Sequence, residues 1–347
     1  MVSTRPDVSI VIKALNEEHH IAGAIESALA ALAGLDGEVI LADSASTDRT
    51  VEIAARYPIK IVRLNRIADR GCGVGVQLGY QYSRGRFICL IDGDMRLHRE
   101  FLPAALRFLQ DNRGCAAVGG TIVECEADNL EYVKRASARD ADRLPGIVDQ
   151  LDCGGVYRRE AIVTVGHFGD RNLHSREELE LGVRLRALGW KLARIDVPAI
   201  DHYGHTGNAY ALLLRRWATG IAFGSGEVLR ATLGRDAFWL ALRKMRRELC
   251  LLGGVHVWWL ALIVTPFVIG TAVGGVTAAM LLGLLPFAVM SLKCRSVHLG
   301  IYSVTAWNVY AAGLWPGLAS RRVDPAAWID STIIRDPAAS DRGAAVA

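Results

Sequence analysis

A chain of 347 residues, 51% of them hydrophobic, has room for a full α/β domain plus a further apolar unit. Its net charge of only +4 excludes the basic footprint of a nucleic-acid binder. Seven cysteines with no C-x-x-C pair read as reduced, cytosolic thiols, which excludes a disulfide frame or a zinc site.

No signal peptide is expected ahead of the first element, because the N-terminal residues run straight into the β-branched strand Val8 to Ile12. Helical spacing of Ile21, Ile25 and Leu29 follows, with Asn16 placed as a helix cap. A second strand, Glu38 to Ala42, ends at Asp43, and Ser46 or Thr47 caps the helix carrying Val51, Ile53 and Ala54. Ile59 to Leu64 is a third strand. The glycine-dense segment Gly71, Gly73 and Gly75 then opens another helix. Its spacing and position exclude the dinucleotide fingerprint G-x-G-x-x-G. The alternation of strands and helices predicts an α/β fold built on one doubly wound, mostly parallel sheet with helices on both faces.

The fourth strand, Phe87 to Ile91, delivers Asp92-Gly-Asp94. Two carboxylates at the carboxyl end of a parallel strand suit a hard cation, Mn²⁺ or Mg²⁺, that is neutralised in turn by phosphates. A solvated Asp-Gly-Asp turn is the plain alternative for these three residues alone.

Val8 to Glu18, Ala42 to Thr50 and Ile91 to Met95 together resemble the successive motifs of family 2 glycosyltransferases of the GT-A fold. The resemblance implies a nucleotide-sugar donor, with Glu17 and Asp43 on its base and ribose, Asp92 on the nucleotide-sugar and the metal, and Asp94 on the metal. Lys13 stands where that family often has proline.

Downstream, Gly154 and Gly155 match the family's glycine-rich acceptor-side motif, and a missing Cβ lets backbone approach a sugar. A strand-edge bulge would use the same glycines. Ser175 to Trp190 reads as a helix ended by Gly189. The family places its general base at the start of this helix, which implies Glu178 as the base and Glu177 as a structural partner. Spacing alone leaves a capping box from Ser175 to Glu178 equally open. His202 and His205 are candidate further metal ligands. Leu213-Leu-Arg-Arg-Trp217 resembles the Gln-x-x-Arg-Trp motif of processive synthases with leucine in place of the glutamine. The acceptor-side expectation for Arg216 and Trp217 rests on that motif.

Phe238 to Glu248 mixes apolar and basic residues, as an interfacial amphipathic helix does. From there to Lys293 no Asp, Glu, Lys or Arg occurs, room for two membrane helices of about 20 residues. Basic residues at both ends place those ends in the cytoplasm. The expected division is a GT-A domain over 1–230, an interfacial helix over 231–252, membrane helices over 253–320 and a polar tail over 321–347. Whether the segment 297–318 crosses is left open.

Taken together, these readings imply a metal-dependent, inverting glycosyltransferase at the cell membrane, its catalytic domain facing the cytoplasm. Its donor is a nucleotide-sugar and its acceptor a lipid-linked molecule or a saccharide, with no nucleic-acid partner. A processive polysaccharide synthase, a nucleotidyltransferase and a catalytically dead membrane scaffold are the alternatives.

Overall fold

The computed structural model describes residues 6–125, 141–152, 154–204 and 207–337. Its first half alternates as the spacing predicts: β1 (Val8–Ala14), α1 (Ile21–Ala31), β2 (Gly37–Asp43), α2 (Thr50–Ala54), β3 (Lys60–Leu64), α3 (Cys72–Tyr82) and β4 (Phe87–Asp92). The second half adds β5 (Met95–Leu97), α4 (Phe101–Asp111), β6 (Cys115–Glu124), β7 (Gly146–Val148), β8 (Gly155–Arg158), α5 (Arg159–Thr164), α6 (Glu177–Ala187), β9 (Lys191–His202), α7 (Ala209–Ala218) and α8 (Gly224–Thr232). Three long helices follow, α9 (Ala237–Val268), α10 (Ala272–Cys294) and α11 (Val297–Ala319), and then a last strand, β10 (Ser331–Arg335).

The strands form one sheet in the order β10-β3-β2-β1-β4-β8-β6-β9-β5, with β7 on β9. β3, β2, β1 and β4 run parallel, as do β6 and β9, which is the expected α/β class with a mostly parallel centre. Antiparallel pairings gather at the β10 edge and around β8 and β9. Val8, Ile10, Val11 and Ile12 of β1 are all fully buried, as a strand covered on both faces requires. A Cβ on Gly79 would stand 2.1 Å from Val11 Cγ1, so this glycine lets α3 lie close on β1. Register places Lys13 opposite both Ala42 and Asp92, and Ala14 opposite Asp43. β1, β2 and β4 therefore end level, at the edge where open α/β sheets bind ligands.

Two local expectations are corrected. Asn16 does not cap α1, which starts further along the chain, behind His20. Instead Asn16 sits in left-handed backbone and its Oδ1 accepts the Thr47 N–H at 2.8 Å, tying the β1 loop to the β2 loop. Neither Ser46 nor Thr47 caps α2, since Asp48 Oδ1 accepts the Thr50 N–H at 3.0 Å.

The apolar C-terminal region also differs from its expected division. No separate interfacial helix occupies 231–252, because α9 is continuous for 32 residues. Its first half buries Ala237, Ala241 and Met245 against Leu179 and Val183 of α6 and Val228 of α8. An apolar stripe that meets protein is indistinguishable in sequence from one that meets lipid. Among the described residues, α9 and α10 are long and apolar enough to cross a membrane. α11 packs on α7, with Tyr302 and Ala306 against Ala209 and Leu213. Its polar Asn308 is satisfied by Trp259 Nε1 at 2.6 Å.

The segment 321–337 is not a plain polar tail. Arg322 pairs with the buried Asp170, Asn172 holds Val323, and β10 pairs with β3 as an edge strand. The chain thus returns from its apolar helices to the sheet it started from.

Candidate active site

The level ends of β1, β2 and β4 open into a cavity of about 480 Å³. Its wall holds Lys13 near the end of β1 with Asn16 and Glu17 just beyond, and Asp92 at the end of β4 with Asp94 just beyond. Arg70, His174, Arg215 and Arg216 line it as well, Arg70 being held by the Ser44 carbonyl at 2.9 Å. Acidic and basic side chains thus line the same cavity, a combination that suits a bound diphosphate bridged to a cation.

Asp94 is the most telling of the acidic groups. It is buried, and its Oδ1 has no hydrogen-bond partner, a costly condition unless a ligand completes it. Its other oxygen lies 3.5 Å from His202 Nε2, while His202 Nδ1 meets Glu124 at 2.5 Å. Burial opposes charge on His202, but its bonds to Asp94 and Glu124 outweigh that and push it up to about 9. Burial, then Asp94 and Asp92, push the Glu17 carboxyl up to about 8. With Asp94 Oδ1 left unpartnered beside Asp92, the residues present fit a divalent ion. His205 lies outside the described residues.

Lys13 connects this wall to the second acidic group. Its ammonium lies 3.1 Å from Asp92, 2.7 Å from Glu177 and 3.7 Å from Glu178. Glu178 lines a second cavity of about 470 Å³, whose wall also includes Gln150, Ser175, Arg176, Ser225 and Tyr310. Burial first, then Glu177 and Asp92, push Glu178 up to about 8 against the pull of Lys13. A carboxyl poised there takes a proton readily near neutral pH.

The capping-box reading of Glu178 is not what forms. Ser175 Oγ donates to the Ile221 carbonyl at 2.8 Å, and α6 has no side-chain cap. Arg176, just ahead of the helix, is held at φ 66°. Asn16 in the wall of the first cavity and Ala45 next to it are left-handed too, and strain of this kind collects at functional sites.

Of the other predicted residues, Arg216 lines the first cavity, whereas Asp43, Gly154, Gly155 and Trp217 lie outside both. Asp43 is fully buried, accepts the Ser46 N–H at 3.0 Å, and braces the loop whose Ser44 reaches the first cavity. Gly154, at φ 94°, would place a Cβ 2.4 Å from Ile200 Cγ1, so its glycine serves internal packing, and Gly155 meets Leu151 and Tyr157. Arg216 reaches the first cavity and donates to Tyr310 Oη at 3.1 Å, whereas Trp217 sits edge-on to Phe223.

Arg70, His174 and Arg215 carry no signal in the sequence. Only the fold brings them to the cavity, and His174 is oriented there by the buried Glu227 at 2.6 Å. Behind the site, His167, Asp170 and Glu180 cluster within 4.8 Å of one another. Arg184 already pairs with Glu180 and Arg322 with Asp170, so two guanidiniums supply the positive charge a metal would bring. Burial and Arg184 push His167 down to about 3, so it stays neutral.

Two neighbouring cavities at the carboxyl edge of an α/β sheet, the first lined by both acids and arginines, form a site of the kind α/β enzymes use to bind their ligands. Residues 9–166 match Glycosyl transferase family 2. Uncharacterized glycosyltransferase Rv0539 of Mycobacterium tuberculosis is 30% identical over 199 residues, 55% of this chain and 84% of that protein. The chain belongs to the family 2 glycosyltransferases. Dolichol-phosphate mannosyltransferase of Pyrococcus furiosus is 24% identical over 53% of this chain and 50% of its own. The chain spans half or less of the length of the first curated relatives it matches. The structure of S. aureus TarS 1-349 in complex with UDP-GlcNAc shares the fold, at a TM-score of 0.50 and 13% identity, over 89% of this chain and 91% of that one.

Proposed function

We propose that this glycosyltransferase is membrane-held, metal-dependent and inverting, and that it moves a hexosyl group from a nucleotide-sugar to a lipid-linked acceptor. The observation that carries the reading is the position of Lys13. Its ammonium stands between the carboxylates of the donor cavity and Glu178 of the second, so donor and acceptor meet across it. A divalent cation held by Asp92 and Asp94, with His202 as a further ligand once it has given up its proton, would supply neutralisation of the leaving diphosphate. Arg70, Arg215 and Arg216 of the same cavity orient the diphosphate. Glu178 takes the proton of the acceptor hydroxyl, whose oxygen attacks the anomeric carbon on the face away from the leaving group.

The apolar helices support the same reading. α9 and α10 form a hairpin whose outward surface is apolar, with Phe267 and Val273 above 80% exposed, beside Arg243, Arg246 and Lys293 at its base. Basic residues at that end favour a catalytic domain on the cytoplasmic side. A polyprenyl-type lipid acceptor fits this position, and the Pyrococcus relative's name refers to such a lipid. The processive alternative loses ground at Leu213, where the synthase motif needs glutamine. That side chain is buried against Tyr302 and Ala306.

The experiment offers a panel of radiolabelled nucleotide-sugars to membranes containing the full-length protein. One donor is expected to label an organic-extractable product, and the activity is expected to follow the protein into detergent extracts and not into salt or carbonate washes. Extraction without detergent would refute the membrane anchor, and a panel that labels nothing would refute sugar transfer.

A further inference from the structure

The two cavities share Ile221, and His174 stands at their junction. Its side chain lines the first cavity, while the next residue, Ser175, lines the second. The backbone is held there by three bonds. The Leu173 carbonyl accepts the Gly73 N–H at 3.1 Å, which ties the segment to the start of α3. The His174 N–H donates to Glu227 Oε2 at 2.9 Å, and Ser175 Oγ donates to the Ile221 carbonyl at 2.8 Å. Gly220 makes room for the ring. At φ 79° it turns the chain, and a Cβ there would stand 2.9 Å from the imidazole Cγ and Cδ2.

The pair behind this position is built for charge. Glu227 is 1% exposed and lies in the first turn of α8, where helix N–H groups favour a carboxylate. Its Oε1 meets His174 Nδ1 at 2.6 Å, which fixes Nδ1 as the donor. That bond raises the imidazole above its ordinary value; burial opposes the rise and the charge of Glu227 adds to it. Nε2 carries the second N–H of the imidazolium, and it has no hydrogen-bond partner among the described residues. The other charged groups around the cavity are of both signs, with Lys13, Arg70, Arg215 and Arg216 beside Glu17, Asp92 and Asp94. An imidazolium backed by a buried carboxylate is a fixed dipole with its positive end toward the cavity. Such a dipole needs no reorganisation when negative charge develops in front of it.

We propose that His174 is a further catalytic residue, whose Nε2–H hydrogen-bonds the sugar-bearing phosphate of the nucleotide-sugar, the one whose oxygen leaves. The assignment rests on the reading of the first cavity as the donor site and adds to it a group apart from the metal, its ligands and the arginines. Its position carries the argument. The leaving oxygen has to lie where the diphosphate site meets the cavity of Glu178, and His174 is at that junction. As the bond from the anomeric carbon to the phosphate oxygen breaks, its electron pair stays on that oxygen. The imidazolium keeps its proton and shares it in a hydrogen bond. The acceptor's proton goes to Glu178, so the diphosphate gains the one negative charge that Glu178 loses. Glu227 acts through His174 and is a positioning residue.

The test measures binding to detergent-solubilised full-length protein in saturating Mn²⁺, with UDP, GDP, dTDP and ADP as probes, each beside its monophosphate. His174→Asn keeps a donor for Glu227 where Nδ1 stood and removes Nε2. Adding Glu227→Gln removes the buried charge as well, should that charge unfold the single variant. For the diphosphate that the native protein binds best, the variant is expected to raise Kd about tenfold or more, the effect of one charge-assisted hydrogen bond. The matching monophosphate lacks the phosphate in question, so its Kd should stay nearly unchanged, which also reports a folded site. In the membrane assay kcat should fall by at least the same factor as diphosphate binding. Equal losses for both nucleotides, no loss for either, or an unchanged kcat would overturn the proposal alone. A comparable rise in the Mn²⁺ needed for half-maximal binding at saturating diphosphate would make His174 a metal ligand and overturn it too. Failure of the native protein to bind any of the four diphosphates would remove the donor reading and the proposal with it.

Discussion

Glu178→Gln is expected to lower kcat by about 10² or more, because glutamine keeps the shape of the side chain but cannot accept the acceptor's proton. Donor binding should be nearly unchanged, since Glu178 lines the second cavity and not the first. Turnover of the native enzyme should rise with pH toward about 8, the value to which burial and Glu177 push this carboxyl. The stability effect has the opposite sign. The folded value lies above the free value of 4.5, so the folded chain holds a proton that the unfolded chain has lost between those two values. That contribution to stability fades as pH rises through about 8, and the glutamine variant should lose none of it. Melting curves and turnover recorded on the same variant across this range check both signs. A variant with near-native kcat would move the base role to Glu177, which is buried and bound to Lys13 at 2.7 Å.

Asp94→Asn should be the most damaging single change on the donor side. The substitution preserves size but removes charge from a buried carboxylate whose Oδ1 is left unpartnered. Loss of several kcal/mol of charge stabilisation at the leaving group corresponds to a fall in kcat of about 10³ or more. Native enzyme in chelator should fall to a comparable level and recover when Mn²⁺ or Mg²⁺ is added back, whereas the variant should not recover. Full activity of Asp94→Asn, or of native enzyme in chelator, would refute the metal assignment.

The donor half of this site is legible in the sequence because its signals are local. Buried β-branched runs end in Asp43 and Asp92, and one parallel register is enough to bring those ends level. The link from donor to acceptor side is not legible. Lys13 and Glu177 are 164 residues apart, and nothing in either segment announces the other. Arg70 and Arg215 are silent for the same reason, as arginines in helical or loop contexts look like solvated charge until the fold aims them.

The apolar helices show a different limit. The face of α9 that carries Ala237, Ala241 and Met245 has the pattern of an interfacial helix, yet it packs on α6 and α8. Asn308 in α11 is out of place in an apolar run until Trp259 supplies its donor. β10 leaves no mark in the sequence because its residues are largely exposed, so no alternation of buried and polar positions distinguishes it. Its place follows from the return of the chain through Arg322 and Asn172.

The central claim is a single displacement, with the base in one cavity and the leaving diphosphate in the other. Proton NMR of the product formed from an α-linked nucleotide-sugar tests it most directly, through the coupling constant of the new anomeric proton. Direct attack assisted by Glu178 predicts a β-linked product. An α-linked product would mean retention, and would contradict the assignment of Glu178 as general base.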